Sequence, residues 1–260
     1  MYTGKVFVIS LKSDIERRKN ITLQLEKQKI DYEIIDAIIG KELSRETNLE
    51  IDWEFAESNS SWASKGALAC SLSHLKAYRA IINQNLDFAL VIEDDTILNA
   101  DIAGFIAKVK GQLHENEVLL LYYAAWEKCF LSTKNSINIF KQYRIVNPIN
   151  PKQLISANAY IITKQACHDI LEFQKPLKTI CDSWGVFYEN NVVKNIRCIV
   201  PMLADTGDFK SSINYVNSNS ILGRLLSIVE KYKLFPLYDI LRYRRKKMRE
   251  SMLNFELTNE

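Results

Sequence analysis

The chain has 260 residues, 47% of them hydrophobic and 25% charged, with Gly (8) and Pro (5) both scarce. This fits one large globular domain or two small ones, and it excludes collagen-like and low-complexity classes. The net charge of +3 is a sum of unlike parts: residues 1–220 hold 25 basic and 26 acidic side chains, and residues 221–260 hold 9 and 5. A neutral body with a basic tail assigns the question of partners to the tail.

Five cysteines (Cys70, Cys129, Cys167, Cys181 and Cys198) are odd in number, widely spaced and without a C-x-x-C. The pattern argues against a zinc site or a disulfide framework and predicts reduced, buried thiols in a cytosolic protein. No signal-peptide pattern is visible, because the apolar run Val6–Ile9 is short and a polar stretch follows it. The longest apolar run, Val118 to Trp126, is well below the ~20 residues of a membrane-spanning helix.

Lys5 to Leu11 is rich in β-branched and aromatic residues and predicts a buried strand. Asp14 is placed to cap a helix carrying Ile21, Leu25 and Ile30 at helical spacing. Tyr32 to Ala37 is a second strand, and the three together make a βαβ unit. Residues 41–65 predict a loop with some helix. Ala67–Asn83 predicts a helix with Leu68, Leu72, Leu75, Tyr78 and Ile82 on one face. Phe88–Ile92 is an apolar strand that ends in Glu93-Asp94-Asp95. Strands follow at Val118–Ala125, Ser156–Thr163 and Ile196–Pro201, with a helix at Lys164–Phe173. Alternating strands and helices predict an α/β domain with a mostly parallel sheet. The polar stretch Asn217–Ser220 marks the one compositional break. It divides a domain of residues 1–220 from a tail of residues 221–260.

Glu93-Asp94-Asp95 is the sharpest chemical feature. In open α/β sheets, ligands bind at the carboxyl ends of strands. Three adjacent like charges call for a cation among them. Strand alternation predicts Glu93 and Asp95 on one side and Asp94 on the other. Hard oxygen ligands suit Mg²⁺ or Mn²⁺, which commonly bind a nucleotide's phosphates at the same time. A simply solvated acidic strand end is the plain alternative.

The ordered motifs make this reading more specific. They are Val8-Ile-Ser-Leu11 with Arg17-Arg18, Gly66-Ala-Leu-Ala-Cys-Ser-Leu-Ser-His74, Ala89-Leu-Val-Ile-Glu-Asp-Asp95, Ala157-Asn-Ala-Tyr-Ile-Ile162, Asp182-Ser-Trp184, and Pro201 with Ser211-Ser-Ile213. In this order they resemble glycosyltransferase family 25, the bacterial lipooligosaccharide galactosyl- and glucosyltransferases related to the collagen galactosyltransferases. The likeness covers roughly residues 3–215.

The resemblance implies a GT-A type fold, a UDP-galactose or UDP-glucose donor, a lipooligosaccharide acceptor and inversion at the anomeric carbon. The acidic triplet then takes the place of a DxD motif. Glu93 and Asp95 fall in its metal-binding frame, with Asp95 the first choice for direct contact, and Asp94 orients its neighbours. Ser10 and Leu11 end the strand where such a fold places the nucleotide. Arg17 and Arg18 are candidates for the diphosphate, and Asp36 for the uridine, with a solvated helix face and a plain loop aspartate as the alternatives. Ser211 and Ser212 are further diphosphate candidates.

Asp182 is the candidate base for the acceptor hydroxyl, and the neighbouring Trp184 offers an indole face for a sugar ring. Its alternative role is a helix cap. Asp205 and Asp208 are fallbacks for base or extra metal ligand. His74 is expected to be a satisfied, partly buried histidine that positions donor or acceptor, because Cys70 and His74 alone are too few ligands for zinc. Trp126, after Tyr122-Tyr123, is a candidate for the acceptor side, and core packing is its alternative.

In the tail, Leu222, Leu225, Leu226, Val229 and Tyr232 recur at helical spacing. Pro236 then opens a second helix with Leu237, Tyr238, Leu241 and the run Arg242-Tyr-Arg-Arg-Lys-Lys247. This predicts a helix lying on an anionic membrane surface, and the resemblance implies a body peripheral on the cytoplasmic face of a bacterial inner membrane. A packed helix or a homodimer contact is the alternative, and no nucleic-acid partner is expected. Two rival functions remain: a metal-dependent phosphotransferase or phosphohydrolase, and a non-catalytic, membrane-docked nucleotide-sugar-binding protein.

Overall fold

The computed structural model describes residues 4–99, 101–207, 225–226, 228–229 and 232–260. The first unit is β1 (Lys5–Ser10), α1 (Ile15–Lys27) and β2 (Tyr32–Asp36). Two helices follow, α2 (Trp53–Ser58) and α3 (Lys65–Asn83), then β3 (Phe88–Glu93), β4 (Thr96–Leu98) and α4 (Ile102–Val109). The middle of the chain is β5 (Glu117–Leu120), β6 (Ala124–Ala125), the hairpin β7 (Cys129–Phe140) and β8 (Tyr143–Pro148), β9 (Leu154–Ile155) and β10 (Ala159–Thr163). Then come α5 (Lys164–Phe173), α6 (Trp184–Glu189), β11 (Asn195–Val200) and β12 (Ala204–Thr206). Near the C-terminus are α7 (Leu237–Ser251) and β13 (Phe255–Thr258).

The main sheet has nine strands in the order β13-β7-β8-β11-β5-β10-β3-β1-β2. Seven run the same way, and β10 and β8 run against them. The expected α/β class, a mostly parallel sheet flanked by helices, is what the chain adopts.

Alternation along β1 shows why the strand is apolar throughout. Val6 and Val8 pack with Ile21 and Leu25 of α1 and Phe105 and Ile106 of α4. Phe7 and Ile9 pack on the opposite face with Leu68, Leu72 and Leu75 of α3. A strand covered on both faces carries apolar residues at every position. Each such side chain contributes roughly 1.5–3 kcal/mol by leaving water.

Local signals fix the ends of the elements near the cleft. Ser64 caps α3 by accepting a hydrogen bond from the Ala67 N–H at 3.2 Å. Asp14 stands at the start of α1, but its side chain makes no cap bond; it lies 3.7 Å from Arg17 instead. Gly40 lets its turn press on the first turn of α3, because a Cβ there would come within 2.8 Å of the Lys65 carbonyl oxygen.

Among the elements outside the sequence reading, three features shape the sheet. The β7–β8 hairpin extends the sheet, and irregular register between Ser132/Ile137 and Asn138/Phe140 hides its alternation. β10 runs antiparallel to β3 and β5. β13 pairs in parallel with β7, so the segment after residue 220 ends inside the main sheet.

Candidate active site

The cleft lies at the carboxyl ends of β1 and β3. Ser10, Leu11, Asp14, Arg17, Glu93, Asp94 and Asp95 line it, together with Cys70 and Ser73 of α3. β3 closes with Glu93, which leaves on the α3 side, where its Oε1 is 3.7 Å from Cys70 Sγ and 3.5 Å from His74 Nε2.

Asp94 leaves on the other side, where the Ser10 hydroxyl donates to its Oδ2 at 2.6 Å. Alternation would return Asp95 to Glu93's side. The strand has already given way to a turn, and Asp95 swings back beside Asp94. The Arg17 guanidinium then binds Asp94 Oδ1 and Asp95 Oδ2, each at 2.8 Å. So the expected grouping of Glu93 with Asp95 is corrected: Asp94 and Asp95 share one cation, and Glu93 faces α3.

The expected cation among the carboxylates is therefore present as Arg17, whose side chain is 12% exposed. Among the described residues, Arg17 meets both Asp94 and Asp95, while Glu93 faces the His74 imidazole at 3.5 Å. Burial and the Glu93 charge push the Asp95 carboxyl up to about 7, against the pull of Arg17. Burial also raises Asp94. Such a donor set fits a divalent cation, with hard oxygens and partial burial.

Arg18 takes a different part. Its Nη2 donates to the Ser10 carbonyl oxygen at 2.9 Å and to Asp36 Oδ1 at 3.0 Å. Lys12 also meets Asp36, at 3.2 Å. Arg18 thus ties the ends of β1 and β2 together, and Arg17 is the arginine that lines the cleft.

Asp182 follows Cys181 on the loop before α6. Burial, reinforced by the charges of Cys181 and Glu93, pushes its carboxyl up to about 7, although the Ser156 backbone N–H favours the ionised form. The loop is pinned to α3, because the Cys181 N–H donates to the Ser71 hydroxyl at 2.9 Å.

Two expectations about aromatic and imidazole groups are corrected. Trp184 has no exposed surface. Its Nε1 donates to the Ser156 carbonyl oxygen at 2.9 Å, and its ring meets Tyr160 edge-on at 5.2 Å, so no face is left for a sugar. His74 is also 0% exposed. Its Nδ1 shares a 2.6 Å hydrogen bond with the Tyr160 hydroxyl, and its Nε2 is buried without a hydrogen-bond partner.

Around His74, burial opposes a positive charge, but Cys181 and Glu93 push the imidazole up to about 10. The hydrogen bond from Cys70, with help from His74, brings Cys181 down to about 5 against its burial. Trp126 is 70% exposed and does not line the cleft. Tyr122 and Tyr123 are core residues. Asp205 is exposed and accepts from the Thr206 N–H at 2.7 Å. Ser211, Ser212 and Asp208 lie outside the described residues.

Asn158 was not singled out in the sequence. Its Nδ2 donates to Asp95 Oδ1 at 2.7 Å, and its carbonyl oxygen accepts from the Glu93 N–H at 2.9 Å. An amide just before an apolar strand was the available signal. Cys181 was read as one thiol among five, and nothing in the spacing linked it to α3 111 residues earlier.

The profile of glycosyltransferase family 25, described as LPS biosynthesis protein, matches residues 3–184. A Haemophilus influenzae protein provisionally named a glycosyltransferase is 32% identical over 184 residues, 68% of this chain and 61% of its own length. The lipooligosaccharide biosynthesis protein lic2B of Haemophilus influenzae is 24% identical over 62% of this chain and 59% of its own. Procollagen galactosyltransferase 1-B of Xenopus laevis is 28% identical over 52% of this chain and 22% of its own. The chain therefore spans about three fifths of the two Haemophilus proteins and about a fifth of the procollagen enzyme. Among solved structures, a glycosyltransferase involved in glycosylating the major capsid of PBCV-1 overlaps 75% of this chain and 80% of its own. Its TM-score of 0.35 and 10% identity make a loose likeness that adds nothing to the family assignment. The matched stretch runs from the first strand through the acidic turn to the Asp182 loop, and on that ground the chain belongs to glycosyltransferase family 25.

Proposed function

We propose that this chain is an inverting glycosyltransferase that moves a hexose, galactose or else glucose, from a UDP-sugar to a lipooligosaccharide acceptor. The observation that carries the reading is the acidic turn after β3. It gathers three adjacent carboxylates at the mouth of a cleft, two of them sharing Arg17, in a chain of this family.

Asp95, with Asp94 beside it, would hold Mn²⁺ or Mg²⁺. When bound, such an ion supplies Lewis-acid stabilisation of the departing nucleoside diphosphate. Arg17, already between the two aspartates, is placed to offer part of its fork to a phosphate oxygen. Ser10 and Leu11 border the nucleotide. Asp36, at the end of β2 and held by Arg18 and Lys12, would meet the uridine. Asn158 keeps Asp95 oriented through its amide.

Asp182 is the proposed base. A carboxyl pushed up to about 7 is well matched to taking a hydroxyl proton near neutral pH. A base on the face opposite the leaving group leads to inversion.

The tail supports a location. No residue of α7 is buried, and the helix mixes exposed Leu237, Ile240 and Met248 with the basic run 244–247. No helix among the described residues is long and apolar enough to cross a membrane. We place α7 on the anionic cytoplasmic face of the inner membrane, where a lipid-linked acceptor would be met. Flotation with anionic vesicles tests this. Charge reversal at Arg244, Arg245, Lys246 and Lys247 should abolish binding, and equal binding to neutral vesicles counts against it. Truncation is the poorer test, because β13 belongs to the sheet.

The catalytic reading is tested with radiolabelled UDP-galactose and UDP-glucose on truncated lipooligosaccharide, with and without EDTA. Transfer should require the divalent ion, and Asp95→Asn should lower kcat about a hundredfold or more while the fold survives. Phosphate release from simple phosphoesters without UDP-sugar turnover would assign a phosphohydrolase instead. UDP binding indifferent to EDTA, with no turnover, would assign a binding protein.

A further inference from the structure

Behind the cleft lies a second group of ligating atoms. Cys70 and His74 stand four residues apart on one face of α3, and Cys181 approaches from the loop before α6. One ligand atom from each lies within 4.8 Å of the other two. The Cys70 and Cys181 sulfurs are 3.7 Å apart, and all five cysteines are free thiols. Two sulfurs held about 2.3 Å from a tetrahedral zinc stand about 3.7–3.8 Å apart.

Glu93 Oε1 lies beside two of the three, 3.7 Å from Cys70 Sγ and 3.5 Å from His74 Nε2. The histidine is also prepared for a ligand. Tyr160 engages Nδ1 at 2.6 Å, which leaves Nε2 aimed into the group, fully buried and without a hydrogen-bond partner. A partner on one ring nitrogen that orients the other is the usual outer support of a metal-bound imidazole. An unsatisfied buried nitrogen is otherwise a cost of about 1–3 kcal/mol.

We propose that Cys70 Sγ, His74 Nε2 and Cys181 Sγ bind one Zn²⁺. The ion clips the loop carrying Cys181 onto α3. It thereby fixes the approach of Asp182, the next residue in the chain. Zinc here positions the chain and takes no part in bond breaking. The soft sulfur–nitrogen set is distinct from the all-oxygen set at Asp94 and Asp95.

The test is metal content of the full chain, purified reduced and without chelator, which is read independently of any transfer activity. About one zinc per chain is expected, and Cys70→Ser or Cys181→Ser should lower it at least tenfold. Cys167→Ser, a buried thiol outside the group, should leave it unchanged. Co²⁺ exchanged into the wild type should show the intense visible bands of a tetrahedral thiolate site. Tyr160→Phe should weaken zinc affinity about 10–100-fold without removing a ligand. Zinc should raise the melting temperature of the wild type and not that of Cys181→Ser, a readout that holds if the variants are merely less stable. A folded, reduced wild type that takes up no zinc overturns the proposal, as does zinc retained in full by Cys181→Ser. A Cys70–Cys181 disulfide in freshly purified protein overturns it too.

Discussion

Two buried meetings of carboxylate and guanidinium stand at opposite ends of the main sheet's strands. At the amino end of β5, Glu117 and Arg197 form a two-pronged pair, with Nε to Oε1 at 2.6 Å and Nη2 to Oε2 at 2.8 Å. Backbone groups complete it, since the His114 N–H donates to Glu117 Oε2 and Arg197 Nη2 donates to the Gln112 carbonyl oxygen. At the carboxyl end of β3, Arg17 serves two aspartates at once, with Glu93 and Asp14 close by. The first pair is balanced in charge and saturated in hydrogen bonds. The second divides one guanidinium between two aspartates. A balanced buried pair holds strands together, whereas an unbalanced one is an invitation to a cationic ligand. Identical functional groups thus mark structure at one end and chemistry at the other.

The sharpest way to break this contrast is to remove one partner at the balanced end. Arg197→Leu leaves Glu117 buried and uncompensated, and urea unfolding should show a loss of about 3–5 kcal/mol. Glu117→Leu combined with Arg197→Leu should recover much of it. At the unbalanced end the sign reverses. Asp95→Asn removes a carboxylate that the fold holds at a cost, so the metal-free variant should melt higher than wild type at pH 8 while losing transfer.

A smaller effect belongs to Arg17→Ala. Removing a charged hydrogen-bond donor of about 1.5–3 kcal/mol should raise KM for the UDP-sugar about tenfold or more. An unchanged KM would return Arg17 to a purely internal role. The mildest effect is the pH dependence of stability. The Asp95 carboxyl is raised from 3.8 to about 7, so the native protein keeps a proton that the unfolded chain has already released. Stability from this group is full below about pH 4 and is lost as pH rises towards about 7. In EDTA, the melting advantage of Asp95→Asn should therefore be near zero at pH 4 and grow to its full size above pH 7. A constant advantage at every pH would remove Asp95 as its cause.

The same ends show what the sequence can convey. β1, α1, β2, α3 and β3 were legible because strands buried on both faces are apolar throughout and the helices repeat strictly. The acidic turn was legible as composition but not as geometry. Alternation describes a strand, and the strand stops at Glu93. Trp184 beside Asp182 reads as a sugar platform until Tyr160 and Phe187 are seen enclosing it. The approach of Cys181 to Cys70 is a property of the folded chain alone. The β7–β8 hairpin was hidden by its irregular register and mixed exposure.

The pairing of β13 with β7 has a consequence for the order of folding. β7 is complete by Phe140, yet its outer partner is made only at Phe255–Thr258. During synthesis, and after any cut in between, β7 presents bare backbone donors and acceptors, the kind of edge that recruits other chains. Closing it requires a contact between residues far apart in sequence, which comes late and slowly. Between these two strands lies α7, the helix we place on the membrane. The moment when the nascent sheet gains its last strand is therefore tied to where that helix comes to rest, and a bilayer within reach would act on the protein's assembly as well as on its address.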